Sequence, residues 1–123
     1  MIDWNAGLMR HLGMRFVHIG PDRVVAELDV NETLTTVGGA VHGGTLMALA
    51  DTVGAAGTAA AGFRTATLES KTNFFAAATA GTVRAESSAL HMGRRTHVWQ
   101  TRVTDANGRL LSLTIQTQMI LDK

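Results

Sequence analysis

The run from about Gly43 to Ala61 repeats its apolar side chains at a helical period, and its interior is made almost wholly of small residues. They are Ala48, Ala50, Gly54, Ala55, Ala56, Gly57, Ala59, Ala60 and Ala61. At 1.5 Å per residue this is a helix about 28 Å long. A glycine inside a helix costs roughly 1 kcal/mol against alanine. Gly54 and Gly57 therefore need a packing reason, namely close approach of another backbone layer. A sheet wrapped around the helix supplies it.

The flanking segments read as that sheet. Trp4 to Leu12 suits a short amphipathic helix stopped by Gly13. Met14 to Ile19 reads as a strand, and Gly20-Pro21-Asp22 as a turn. Arg23 to Val30 alternates, with Val24, Ala26, Leu28 and Val30 on one face and Arg23, Glu27 and Asp29 on the other. Asn31 to Gly44 is loop-like. After the long helix come four strand candidates: Thr65 to Phe75, Thr82 to Met92, Thr96 to Thr104 and Leu110 to Leu121. Asn107-Gly108 is a strong hairpin signal between the last two. The expectation is one α+β domain over residues 1–123, with about six antiparallel strands curved around one long central helix.

Composition narrows the function classes. Apolar residues make up 46% and charged residues 17%, which is apolar-rich for a small monomer and points to surface buried between subunits. The net charge of +1 gives no field for nucleic acid or an anionic membrane. Absence of cysteine excludes disulfides and thiolate metal sites. The most apolar window, Val41 to Phe63, holds His42, Asp51 and five glycines, so it reads as a buried helix rather than a membrane span. Met1 is followed by Ile2, Asp3, Trp4 and Asn5, with no basic-then-apolar leader. A cytoplasmic protein is expected.

Chemistry concentrates in Val41-His42-Gly43-Gly44-Thr45-Leu46-Met47-Ala48-Leu49-Ala50-Asp51. A helix that opens on a Gly pair presents unpaired N–H groups and a positive dipole end. Such an end can hold a carbonyl oxygen as it becomes an oxyanion. Asp51 is the only acid between Glu32 and Glu69. An acid in such company is either structural, tied to backbone or to an arginine, or functional. Likewise Gly43 and Gly44 can serve helix entry alone, and His42 can be a plain loop histidine.

The order of elements, with His42-Gly43-Gly44, then Leu46, Leu49, Ala50 and Asp51, then Glu69-Ser70-Lys71-Thr72-Asn73-Phe74, resembles the hotdog-fold acyl-CoA thioesterases. His91-Met92-Gly93-Arg94-Arg95 and Asp105-Ala106-Asn107-Gly108 extend the resemblance over nearly the whole chain. It is most similar to the phenylacetate-pathway (PaaI-like) and hydroxybenzoyl-CoA branch. The resemblance implies hydrolysis of a thioester to a free acid and CoA, with no cofactor. It implies that Asp51 is general base or nucleophile, that the Gly43 N–H polarises the thioester carbonyl, and that His42 positions the loop or the thioester. It sets Arg94 and Arg95, with Gly93 allowing a bend, at the CoA nucleotide, and a hydroxyl at Thr67 beside the carboxylate. Many relatives carry Asn or Gln where this chain has Thr36, fifteen residues before Asp51, to hold the attacking water or the acid. Aryl acyl groups follow from the resemblance, and medium-chain acyl groups stay open.

One geometric argument is independent of the motif. Gly43 and Asp51 are eight residues apart, about 12 Å of helix rise. Reacting groups must sit within about 3–3.5 Å of their targets. If both act on one carbonyl, they come from two chains. A two-fold homodimer meets this, with two equal sites, and the family often pairs dimers into homotetramers. His91 and His97 are six apart without a convincing third ligand, so no metal is expected. Two other functions remain in view. A hydratase or dehydratase pairs a His with a carboxylate, and relatives of that kind carry a proline-rich stretch, whereas this chain has only Pro21. A non-catalytic acyl-CoA-binding module is the other.

Overall fold

The computed structural model describes residues 3–122. Helix α1 (Gly7–Leu12) leads into β1 (Arg15–Ile19) and β2 (Arg23–Asp29); a 3-10 turn (Glu32–Leu34) then precedes α2 (Gly43–Ala60). Four strands follow: β3 (Arg64–Phe74), β4 (Thr82–Met92), β5 (Thr96–Thr104) and β6 (Leu110–Asp122). They form one antiparallel sheet in the order β1-β2-β4-β5-β6-β3. The helix links β2 to β3, which lies at the far edge, so α2 crosses the sheet and touches all six strands.

Packing accounts for the small helix residues. Leu46, Leu49, Val53 and Ala56 of α2 bury against Val24, Ala26 and Leu28 of β2, Val83 and Ala85 of β4, Val103 of β5 and Leu111 of β6. At Gly57 a methyl group would overlap the Trp99 ring of β5, and at Gly54 it would overlap the Gln116 amide of β6. The two glycines let large side chains from the sheet press against the helix backbone, which offsets their propensity cost.

Strand β6 reverses the usual pattern. Ser112, Thr114, Gln116 and Gln118 face the helix and are buried, while Leu113 and Ile115 on the other face are half-buried. Thr72 of β3 and Thr114 share a hydrogen bond at 2.7 Å, and Thr101 of β5 donates to Ser87 of β4 at 3.1 Å. A band of hydroxyls thus crosses four strands beneath α2.

Most expected elements form close to their expected limits. The first helix is shorter than Trp4 to Leu12: it starts at Gly7, and Ala6 offers no side-chain cap. Gly13 ends it in the left-handed conformation at φ 81°. Val25, outside the expected buried set, is buried on the opposite face between His18 and Glu86. The β5–β6 turn closes as anticipated, with Gly108 at φ 84° and Asp105 Oδ1 accepting the Asn107 and Arg109 N–H groups.

Candidate active site

Asp51 sits two turns into α2, above β3 and β6. Thr67 Oγ1 of β3 donates to Asp51 Oδ1 at 2.6 Å. From β6, Gln116 Nε2 donates to the same Oδ1 at 3.1 Å and lies 3.2 Å from the Asp51 carbonyl oxygen. Oδ2 receives no hydrogen bond from the described residues. The carboxylate is therefore tethered by one oxygen and open at the other. Thr67 lies opposite Gln118 in the β3–β6 ladder, next to a bulge at Leu68. A bulge re-aims side chains locally, and here Thr67 points at the helix.

A second tier holds the first. Gln116 Nε2 also donates to Gln118 Oε1 at 2.8 Å, and Gln118 Nε2 donates to Thr65 Oγ1 at 3.0 Å. Thr65 in turn donates to the Met119 carbonyl at 2.8 Å. Thr67 Oγ1 is also 2.8 Å from Gln118 Oε1. A hydroxyl has one hydrogen, so Thr67 has two acceptors to choose between.

At the start of α2, His42 is the N-cap: its Nδ1 accepts the Gly44 N–H at 2.7 Å. The Gly43 N–H meets no acceptor among the described residues. It remains one of the orphan donors of the helix end. The Phe74 ring of β3 packs on Gly43, where an added methyl would lie 3.2 Å from its Cζ. Thr36 is engaged in its own loop: its Oγ1 accepts the Gly38 N–H at 3.1 Å, and its N–H donates to the Ala40 carbonyl at 2.7 Å. Within one chain, then, Asp51 and Thr67 come together; Gly43 and His42 stand two helical turns away, and Thr36 bonds neither.

An apolar cavity of about 370 Å³ opens along the second half of α2, lined by Trp4, Ala55, Ala59, Phe63, Arg64, Thr65 and Leu121. Ala55 is one turn beyond Asp51 on α2, about 6 Å along the axis. The small face of the helix forms the floor, and two aromatic rings form walls. Arg94 and Arg95 occupy the exposed β4–β5 turn, where the Ile120 N–H donates to the Arg95 carbonyl at 2.9 Å. Neither arginine makes an ion pair with a described residue. The pairing of Thr96 with Met119 and of Thr65 with Ile120 puts this turn at the same end of the sheet as the cavity. Gly93 closes the turn by donating to the Thr96 carbonyl at 2.9 Å, and a methyl there would overlap the His91 ring.

His97 is taken up elsewhere. It is 2% exposed, its Nδ1 lies 3.0 Å from Thr58 Oγ1, and Trp99 Nε1 donates to that hydroxyl at 2.8 Å. Burial, and secondarily the neighbouring His91, lowers its pKa below the ordinary value. Sequence reasoning did not find Gln116, Gln118 or Trp4. The available signal was the period-two Gln116/Gln118 pair in a strand whose alternate residues are Leu113 and Ile115.

Comparison with known proteins identifies the family and the fold. The thioesterase superfamily model matches residues 38–112. The chain is 32% identical over 110 residues to the 1,4-dihydroxy-2-naphthoyl-CoA hydrolase of Listeria monocytogenes, covering 87% of this chain and 89% of that one. It is 33% identical over 117 residues to the 1,4-dihydroxy-2-naphthoyl-CoA hydrolase of Escherichia coli, covering 89% and 83%. The crystal structure of AziG from S. sahachiroi superimposes with a TM-score of 0.91 at 30% identity, covering 96% of this chain and 98% of that one. The chain belongs to the thioesterase superfamily, a class of thioester hydrolases, and its curved sheet around one helix is the hotdog fold. No helix among the described residues is long and apolar enough to cross a membrane.

Proposed function

We propose that this chain hydrolyses an aryl-CoA thioester to the free acid and CoA, with Asp51 as the catalytic carboxylate. The observation that carries the reading is the half-tethered acid. Thr67 and Gln116 hold Oδ1, Oδ2 is open, and an apolar cavity begins one helical turn away. A carboxylate so placed can draw a proton from water or attack the carbonyl itself. In the first route the water oxygen bonds the thioester carbon and its proton passes to Asp51. The C–S bond then breaks, and the CoA sulfur takes the proton. Flat walls from Trp4 and Phe63 suit an aromatic acyl group, in keeping with the two relatives named for a naphthoyl thioester. Arg94 and Arg95, exposed at the same end of the sheet, supply cations for the phosphates of CoA.

The carbonyl oxygen needs a donor that Asp51's own surroundings lack. The free Gly43 N–H suits this role, but eight helical residues separate it from Asp51 in the same chain. We assign it to the partner of a homodimer, in which each site takes Asp51 from one chain and Gly43 with its His42 cap from the other. Strand β3 supports such pairing: it is an eleven-residue sheet edge carrying Leu68 and Phe74 at 61% and 49% exposure. An open edge of that length is a template for another strand.

The test is release of CoA thiol from a panel of aryl, short-chain and medium-chain acyl-CoAs by wild type and Asp51→Asn. Wild type turns over the aryl esters best and Asp51→Asn loses turnover while staying folded. Undiminished turnover in Asp51→Asn would remove the carboxylate from the mechanism. Tight ester binding without thiol release by wild type would favour a binding module instead.

A further inference from the structure

Among the described residues, two buried side chains leave a polar atom unpaired, Ser112 and Gln116, and of the two only Gln116 touches Asp51. Gln116 is 1% exposed, yet its Oε1 has no hydrogen-bond partner among the described residues. A buried polar atom left unpaired costs stability. The amide cannot turn to relieve this. Its NH2 group faces three acceptors: the Asp51 carbonyl, Asp51 Oδ1 and Gln118 Oε1. Turning it would set oxygen against oxygen at all three. The carbonyl therefore points at α2, into the space that Gly54 leaves by lacking a side chain. An apolar residue of the same length would fill this site and leave no unpaired oxygen against Gly54. The fold keeps both an unsatisfied oxygen and a helix-interior glycine, and what they maintain is an N–H aimed at the carboxylate.

We infer that Gln116 is a positioning residue for Asp51, and that Gln118 buttresses it. The inference rests on the assignment of Asp51 as the catalytic carboxylate. Contact with both the main-chain oxygen and Oδ1 fixes the Asp51 side chain in one rotamer. That rotamer leaves Oδ2, the only unbonded carboxylate oxygen, as the atom available to substrate or water. Gln118 Oε1 receives the other Gln116 hydrogen, and Gln118 is itself anchored through Thr65 to the backbone of β6. The chain of contacts thus transmits the rigidity of the β3–β6 ladder to one oxygen of the acid. Local disadvantage retained at a functional site is the expected signature of such a role.

Three variants test it on an aryl-CoA substrate: Gln116→Met, Gln116→Glu and Asp51→Asn. Methionine keeps the shape and removes both N–H donors. The expected result for Gln116→Met is a kcat lower by about tenfold to a hundredfold, the range of a lost hydrogen bond to a charged group. Its KM stays within about threefold, since the contact acts on the reacting carboxylate rather than on ground-state binding. Its thermal midpoint stays close to that of wild type, because loss of the orphan oxygen offsets the acceptor left unpaired at Gln118 Oε1 or Asp51 Oδ1. A merely structural glutamine would instead lose stability along with activity. In Gln116→Glu, two carboxylates share the site and cannot readily both ionise. While the introduced carboxyl group keeps its proton it still donates to Asp51. Activity is therefore retained at acid pH and lost as pH rises through an alkaline limb that wild type lacks. A Gln116→Met enzyme with wild-type kcat, beside an inactive Asp51→Asn, overturns the positioning role and leaves the thioesterase reading intact. Turnover in Asp51→Asn removes the reading itself. Should Gln116→Met fail to fold, Gln116→Glu decides: a pH profile parallel to wild type overturns the proposal.

Discussion

His97 shows how one buried side chain fixes its own charge state. Trp99 donates to Thr58 Oγ1, so the Thr58 hydrogen is free to be donated to His97 Nδ1. That arrangement wants a neutral imidazole with its proton on Nε2. Burial pushes the pKa down from its ordinary 6.5, and the charge of His91 adds to the effect. The unfolded chain therefore takes up the proton at a higher pH than the folded one. The fold keeps its full contribution from His97 above about pH 6.5 and loses it progressively as pH falls toward the lowered value. Asp29, held down by Arg15 and Thr82, and Asp105, held down by the Arg109 and Asn107 N–H groups, lose their contributions only as pH falls below the ordinary carboxylate value of 3.8. Thermal midpoints recorded between pH 8 and pH 5 should fall for wild type and stay flatter for His97→Gln. Equal slopes would count against this account. Phe63 packs at about a right angle to His97, ring centroids 5.4 Å apart, and also lines the cavity.

At the scale of elements, α2 is held by fit rather than by propensity. Gly57→Ala gains about 1 kcal/mol of helix propensity. Against that, the new methyl meets the rigid Trp99 ring, and overpacking a core costs about 1–3 kcal/mol. Trp99 cannot swing aside without breaking its bond to Thr58. A net fall in thermal midpoint of several degrees is expected, and a rise would mean the ring has room. This same tension made the helix legible beforehand: a long run of alanine with interior glycines has few explanations besides a sheet pressed close. The β5–β6 turn was legible through Asn107-Gly108, and Asp51 stands out as a candidate through its isolation among small residues. The supporting glutamines were not. Alternation in β6 suggests Leu113 and Ile115 inward and Gln116 and Gln118 outward, and the fold does the opposite, with Gln116 turned inward to hydrogen-bond Asp51. The spacing of Trp4 fits a helix, whereas the helix begins only at Gly7 and Trp4 lines the cavity, its ring 5.9 Å from that of Phe16.

At the scale of the whole molecule, the proposed two-chain site makes a prediction that single-chain catalysis does not. Gly43→Pro removes the proposed carbonyl donor at the first helical position, where proline is tolerated because the N–H is outside the helix ladder. His42 already has the extended backbone, φ −66° and ψ 137°, that a following proline requires. A Cβ at this position lies 3.2 Å from Cζ of the half-exposed Phe74 ring, which must give slightly. Loss of one oxyanion donor lowers kcat by about a hundredfold to a thousandfold, so this variant and Asp51→Asn are each nearly inactive. Unfolded together in equal amounts and refolded, they form mixed dimers. In each mixed dimer one site carries both lesions and the other carries an intact Asp51 and an intact Gly43. Half of the dimers are mixed and half of their sites are whole, so activity returns to about one quarter of wild type in a two-fold assembly. If Asp51 and Gly43 of the same chain served one substrate, every site would keep one lesion and mixing would restore nothing. The recovered fraction therefore separates a site shared between chains from one contained in a single chain, whichever acyl group the cavity takes.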